Sequence, residues 1–281
     1  MMRSLYSAVA GLRTHQTRMD VIGDNIANVN TYGFKKSRTT FQDMFYQTLQ
    51  GGSAAEDGDA RGGTNSSQVG LGVTLATIDG IHTQGAAAPT GKESDLMIQG
   101  DGFFILHEEG TDGATYYTRN GNFSLDNNGD LVNTANGLYV TDTDGNKINV
   151  PTTSKSFSIS KKGEVIITQA DGTIADNPQI IAIAKFPNPA GLQKVGQNMY
   201  VYDTSAGNEA GDPTGGSTNN VGGAPGLEGR GIILSGSLEM SNVELAQEFT
   251  DLITTQRGFQ ANAKTITTSD QMLEELLNIK R

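Results

Sequence analysis

The residues best suited to metal or acid–base chemistry are three histidines, His15, His82 and His107. They stand far apart, and none has a second ligand-type residue at helical or hairpin spacing. The chain has no cysteine, so neither a thiolate zinc site nor a nucleophilic thiol can be built. Asp126-Asn127-Asn128-Gly129-Asp130 and Asp142-Thr143-Asp144-Gly145 faintly resemble calcium loops. A calcium loop needs glycine at its sixth position and glutamate at its twelfth, and both offsets are wrong here. Acidic hairpin turns are the plainer reading. Asp171 and Asp176 mimic the paired carboxylates of a glycosidase, but 31 acidic side chains produce such pairs by chance. No G-x-G-x-x-G follows a strand and opens a helix. The residues therefore point to no catalytic centre, no metal and no cofactor, and the chain is expected not to be an enzyme.

What the sequence does organise is its two ends. Steps of four and three from Leu245 give Phe249, Leu252, Gln256, Phe259, Ala263, Ile266, Asp270, Leu273 and Leu277. Only Gln256 and Asp270 interrupt that apolar seam, and the pattern predicts a coiled-coil helix. Ser241 or Asn242 is the expected N-cap, with Glu244 in the first turn. Near the start, Leu5, Val9, Leu12, Gln16, Met19, Gly23 and Ile26 form a matching seam. That helix should stop around Val29-Asn30-Thr31-Tyr32-Gly33, where asparagine and glycine supply turn chemistry. Gln16, Gln256 and Asp270 are either register-setting polar positions or points where the seam wanders into solvent.

A helix of about forty residues at ~1.5 Å each runs ~60 Å, beyond a compact body whose radius of gyration is about 19 Å. Eight seam residues bury on the order of 12–24 kcal/mol, against about 1–2 kcal/mol per residue of backbone entropy. The arms are therefore expected to be mobile alone and to order on assembly with copies of the chain.

Composition agrees with a structural role. The net charge is −11 over 281 residues. Residues 1–50 carry a net +3 and residues 238–281 a net −3, which favours pairing of the two ends. The acidic remainder argues against a nucleic-acid partner. No run of some eighteen apolar residues crosses a membrane, and no cleavable secretory signal is visible.

Between the arms, residues 51–70 are small, polar and glycine-rich, and read as a linker or long loop. From Val73 to about Leu234, Asp-Gly and Asn-Gly turns punctuate short apolar runs such as Leu96-Met97-Ile98 and Phe103-Phe104-Ile105-Leu106. These predict an antiparallel β domain, with residues 203–231 as a glycine-rich loop upon it. The expected fold is α+β: paired terminal helices at 1–32 and 240–281, a brace at 33–75 and an all-β domain at 76–239.

Asn25-Ile26-Ala27-Asn28-Val29-Asn30-Thr31-Tyr32-Gly33-Phe34-Lys35 closely resembles the N-terminal signature of bacterial flagellar rod and hook proteins. The other end resembles that family in Ser241-Asn242-Val243-Glu244-Leu245, Gln256-Arg257-Gly258-Phe259-Gln260-Ala261-Asn262 and Thr267-Thr268-Ser269-Asp270-Gln271-Met272-Leu273. Asp95 to Phe104 and Tyr117 to Phe123 resemble its β-domain motifs. Asn25, Asn28, Asn30, Gly33, Phe34, Gln256, Arg257, Gln260 and Asn262 are the motif positions to follow.

Residues 30–38, 62–66 and 68–72 look more like short hook proteins than like the distal rod protein. The resemblance implies an extracellular hollow helical homopolymer, with helices as its inner tube and the β domain as its wall. As a hook it would be a curved universal joint passing torque from rod to filament. Its implied partners are further copies, the distal rod, the hook–filament junction and hook cap proteins, and the flagellar type III exporter. The alternatives are the distal rod protein itself, a secreted carbohydrate-active enzyme with oligomerisation arms, and a monomeric binding module.

Overall fold

The computed structural model describes residues 2–54, 63–108, 114–170, 172–174, 178–207 and 222–279. They form two compact units, one of helices with a β ribbon and one almost entirely antiparallel β, so the fold is α+β.

The first unit comprises residues 1–27, 37–80 and 244–281. Helix α1 spans Met2–Ala27 and helix α2 spans Leu245–Ile279. At ~1.5 Å per residue, the 35 residues of α2 reach about 52 Å. Strands β1 (Ser37–Asp43), β2 (Tyr46–Gln50), β3 (Ser67–Gly70) and β4 (Val73–Gly80) make a two-stranded ribbon. β1 pairs β4 from Ser37↔Gly80 to Asp43↔Val73, with a bulge between Thr40 and Phe41. β2 and β3 continue it from Tyr46↔Gly70. Part of the stretch expected as linker, Ser67–Gly70, is therefore strand. Pairing with a partner strand supplies the hydrogen bonds that its composition alone does not advertise. The ribbon meets α1 where the Phe41 ring packs edge-on against His15 at 5.8 Å and lies under the Arg18 guanidinium at 5.9 Å.

The second unit comprises residues 28–36 and 81–243. Its main sheet has eight strands, with Phe103–His107 at the centre between Thr115–Thr118 and Tyr139–Val140, and Ile183–Ala184 also on that strand. Ser156–Ile159, Glu164–Thr168 and Gln179–Ile180 form a three-stranded sheet. Leu96–Gln99 pairs Ile232–Ser235, and Ala87–Pro89 pairs Ser237–Glu239. The unbroken apolar run Phe103-Phe104-Ile105-Leu106 has a simple cause. Phe104 and Leu106 enter one core with Phe123, Leu131 and Ile183, while Phe103 and Ile105 enter another with Tyr117, Phe186 and Tyr200. A strand covered on both faces needs apolar residues at every position.

The two acidic stretches are turns. Gly129 N–H donates to Asp126 O and Gly145 N–H to Asp142 O, both at 2.9 Å. One carboxylate of each stretch is committed to protein donors: Asp130 to Lys147 at 3.0 Å and Asn149 at 2.5 Å, Asp142 to the Thr143 and Ile180 amides at 2.6 and 2.9 Å. Burial pushes the Asp130 carboxyl up, but the bonds from Asn149 and Lys147 outweigh it and hold it below the usual range. Asp171 and Asp176 lie outside the described residues, as do 208–221 of the expected 203–231 loop. The described part of that loop is tied down, since Gly223 and Ile183 exchange both backbone hydrogen bonds at 3.0 and 3.1 Å.

Candidate assembly surface

The two helices pair antiparallel. Asn25 meets Glu248, Gly258 lies against the His15 ring, and Gly11 lies against the Asn262 side chain. A Cβ at Gly11 would stand 2.7 Å from Asn262 Nδ2, and one at Gly258 would stand 2.8 Å from the His15 ring. The backbones thus approach more closely than larger side chains would permit. Arg18 and Asp251 form an ion pair at 3.3 Å between the oppositely charged ends.

The buried stripe differs from the expected seam in a regular way. On α1 the buried residues are Ala8, Gly11, Thr14, Ile22 and Asn25. Leu5, Leu12, Met19 and Ile26 sit half-buried beside them, while Val9, Gln16 and Gly23 face outward. On α2 the set Leu252, Phe259, Ile266 and Leu273 is half-buried. Its companion lane is not Phe249, Gln256, Ala263, Asp270 and Leu277 but Glu248, Thr255, Asn262 and Ser269, one residue earlier. Glu248, Thr255 and Ser269 are buried, whereas Leu245, Phe249 and Leu277 are 40, 50 and 70 % exposed.

The physical reason is that close approach selects small side chains, and hydroxyls can be buried when they bond back to their own helix. Thr14 Oγ1 donates to Ala10 O, Thr255 Oγ1 to Asp251 O and Ser269 Oγ to Thr265 O, at 3.1, 2.6 and 2.8 Å. Serine, threonine and asparagine recurring every seven residues were the signal available in the sequence.

The motif residues divide between anchors and open positions. Asn25, 1 % exposed, grips the Ser37 backbone and reaches the buried Glu248 carboxylate at 3.2 Å. Asn28 closes the turn after α1 by accepting from Thr31 Oγ1 at 3.1 Å. Gly33 adopts φ +71 and donates its N–H to Glu239 O at 2.8 Å. A side chain there would collide with the Arg119–Asn120 backbone. Phe34 is buried beneath the Lys194 ammonium, 5.1 Å from the ring centre. Asn30, Gln256, Arg257 and Gln260 are exposed. The expected cap Asn242 serves elsewhere: it accepts from Lys36 N–H and donates to Ile81 O, both at 2.8 Å. α2 instead begins at Leu245, with Glu248 N–H donating to Glu244 O.

Within the β unit, sequence reading missed an ionic cluster. Glu239, fully buried, bonds Lys35 Nζ at 2.6 Å and Arg119 Nη1 at 3.3 Å. Lys35 also donates to Thr83 O at 2.7 Å and Arg119 to Gly100 O at 2.8 Å. Burial pushes the pKa of Lys35 and of Arg119 down, and Glu239 only partly offsets it. His82 lies between the Phe103 and Tyr200 rings at 5.6 and 5.5 Å. Its pKa is lowered to about 4, first by burial and then by Lys35, Lys194 and Arg119. The Lys35 ammonium, the Arg119 Nη groups and the Glu239 carboxylate are engaged with one another or with backbone carbonyls.

Residues 5–35 match the flagella basal body rod protein family, 97–167 the flagellar hook protein FlgE/F/G D1 domain, and 234–279 the flagellar basal body rod FlgEFG protein C-terminal region. The flagellar basal-body rod protein FlgG of Bacillus subtilis strain 168 is 50 % identical over 281 residues, covering all of both chains. The chain belongs to the flagellar rod and hook protein family. This is a family of structural components, not enzymes. Among other relatives, the basal-body rod protein FlgG of Borreliella burgdorferi is 38 % identical over 285 residues and its hook protein FlgE 33 % over 457, each match covering both chains in full. The family signatures thus fall on the Asn25 clamp, the Gly33 turn and the α2 stripe, which are the anchors just described.

Proposed function

We propose that this protein is the subunit of the flagellar distal rod, a hollow helical homopolymer that carries torque outward from the basal body. The observation that carries the reading is the 50 % identity to a basal-body rod protein over the whole of both chains. The hook relative needs 457 aligned positions, so it holds much that has no counterpart here. That difference moves the reading from the hook, favoured by residues 30–38, 62–66 and 68–72, to the rod.

In this reading α1 and α2 line the inner tube and the β unit forms the wall. Leu245, Phe249, Ile253 and Leu277, open in the single chain, become buried between copies. Each such side chain contributes about 1.5–3 kcal/mol when fully covered. The proposed partners are copies of the chain and the neighbouring flagellar components, with delivery to the cell exterior through the flagellar type III exporter.

Electron micrographs of basal bodies from a strain lacking the gene test the proposal. Loss of the outer rod together with the hook is the expected result. Complete straight rods that lack only a curved hook would restore the hook reading. A normally swimming deletion strain would end both.

A further inference from the structure

The register between α1 and α2 leaves the end of α2 uncovered. Moving seven residues from the Gly11–Asn262 contact places Ser4 opposite Ser269, which is still buried. Past Ser269 only Leu273 stays half-buried among the apolar residues: Met272, Leu276, Leu277 and Ile279 are 48, 50, 70 and 80 % exposed. Leu276 and Leu277 prolong the paired stripe, whereas Met272, Glu275 and Ile279 share a separate, outward face of these two turns. A second uncovered strip lies on the outward side of α1, where Tyr6 and Val9 are 69 and 39 % exposed beside Arg13 and Gln16, both exposed.

The strips match in period, chemistry and sign. Val9, Arg13 and Gln16 are spaced by four and three, as are Ile279, Glu275 and Met272 read in the opposite direction. We infer that the last two turns of α2 dock antiparallel on the outer face of α1 of a second copy, setting Ile279 on Val9, Glu275 on Arg13 and Met272 beside Gln16. The occupant is another copy because the complementary charge, Glu275 against Arg13, is carried by the same chain. Within one chain the contact cannot form. Val9 lies opposite Lys264 in the observed register, and Ile279 is fifteen residues further on, ~22 Å away. The contact joins unlike surfaces, so it propagates head to tail and gives the assembly a direction. This inference rests on the polymer reading and names the residues of one of its interfaces.

The absence of native cysteine makes the test direct. Val9→Cys and Ile279→Cys are combined in the full-length chain, expressed in place of the native gene, and mild oxidant is applied to isolated basal bodies. A disulfide needs Cα atoms within about 7 Å, so a ladder of covalent multimers, absent from either single variant, is expected. A monomer band from a swimming strain overturns the inference while leaving the polymer reading intact. A single heavier band that is not a multiple of the chain assigns the face to another protein and overturns it equally. As a second measure, Arg13→Glu is expected to cut the swimming fraction, by about tenfold, and Glu275→Arg to restore it. Unchanged helical circular dichroism in both variants establishes that folding is not the cause, and lack of restoration refutes the pairing. If basal bodies contain none of this chain, the polymer reading itself fails.

Discussion

The Asn25 side chain holds Ser37 by both of its backbone groups. Asn25 Nδ2 donates to Ser37 O at 2.8 Å, and Ser37 N–H donates to Asn25 Oδ1 at 2.9 Å. The end of α1 and the start of β1 are thereby locked together although residues 28–36 between them belong to the other unit. The same amide nitrogen reaches Glu248 on α2, so one side chain joins three segments. Replacing it leaves buried partners unsatisfied, at about 1–3 kcal/mol for each group. Asn25→Ala is expected to destabilise the helical unit by about 2–4 kcal/mol in urea denaturation. Asn25→Asp should do worse, since it sets a second carboxylate against Glu248 and removes the donor. An aspartate variant as stable as the native chain would show the clamp to be unimportant.

The Glu239 carboxylate is bonded to two buried cations, Lys35 and Arg119. Glu239→Gln removes the carboxylate bonded to both Lys35 and Arg119, and breaking a buried pair in this way costs about 3–5 kcal/mol. Thermal unfolding of the β unit is the measurement. Glu239→Gln combined with Lys35→Met should recover part of the loss, because one of the two stranded charges is gone. Equal stability of the two variants would contradict this account.

His82 predicts how the β unit responds to acid. Burial lowers its folded-state pKa to about 4, against an ordinary histidine value of 6.5. Between those limits the unfolded chain binds a proton that the folded chain refuses. Stability therefore falls as pH drops from 6.5 toward 4, and His82 contributes no slope above 6.5. At about 1.4 kcal/mol per pH unit the loss approaches ~3 kcal/mol. Urea midpoints at pH 4.5 and 7 should converge in His82→Gln. An undiminished difference would assign the acid sensitivity to the carboxylates.

Phe249 and Gly11 separate the two faces of the helix pair. Phe249 is 50 % exposed, so Phe249→Ala should change monomer stability by no more than about 0.5 kcal/mol while abolishing assembly. Gly11→Leu should do the reverse first, forcing apart helices that touch at Asn262 and costing about 1–3 kcal/mol in the monomer. Circular dichroism on monomer and imaging of polymer read the two effects apart. Normal rods from Phe249→Ala would remove that face from the assembly surface.

The arms give a further test of whether folding precedes assembly. Gross burial on α2 is small relative to the ordering entropy of its 35 residues. Amide exchange along α1 and α2 in dilute monomer is therefore expected to be faster than in the β unit. Exchange in α2 as slow as in the β unit would mean that the helix pair is no weaker alone than that unit.

Local chemistry was enough to place the helices at the two ends, the turn at Asn28–Gly33, the tight turns at Gly129 and Gly145, and the strand at Phe103–Leu106. Each of these depends on residues within a few positions of one another. Which stripe of each helix turns inward was decided by the tertiary structure. Apolar periodicity ranks side chains by their aversion to water, and so it chose Phe249 and Val9. Contact between two backbones ranks them by size, and so it chose Gly11, Thr255 and Ser269. The cluster of Lys35, Arg119 and Glu239 was equally invisible in sequence. Its members stand up to 204 positions apart, and only folding removes the water that would otherwise separate their charges.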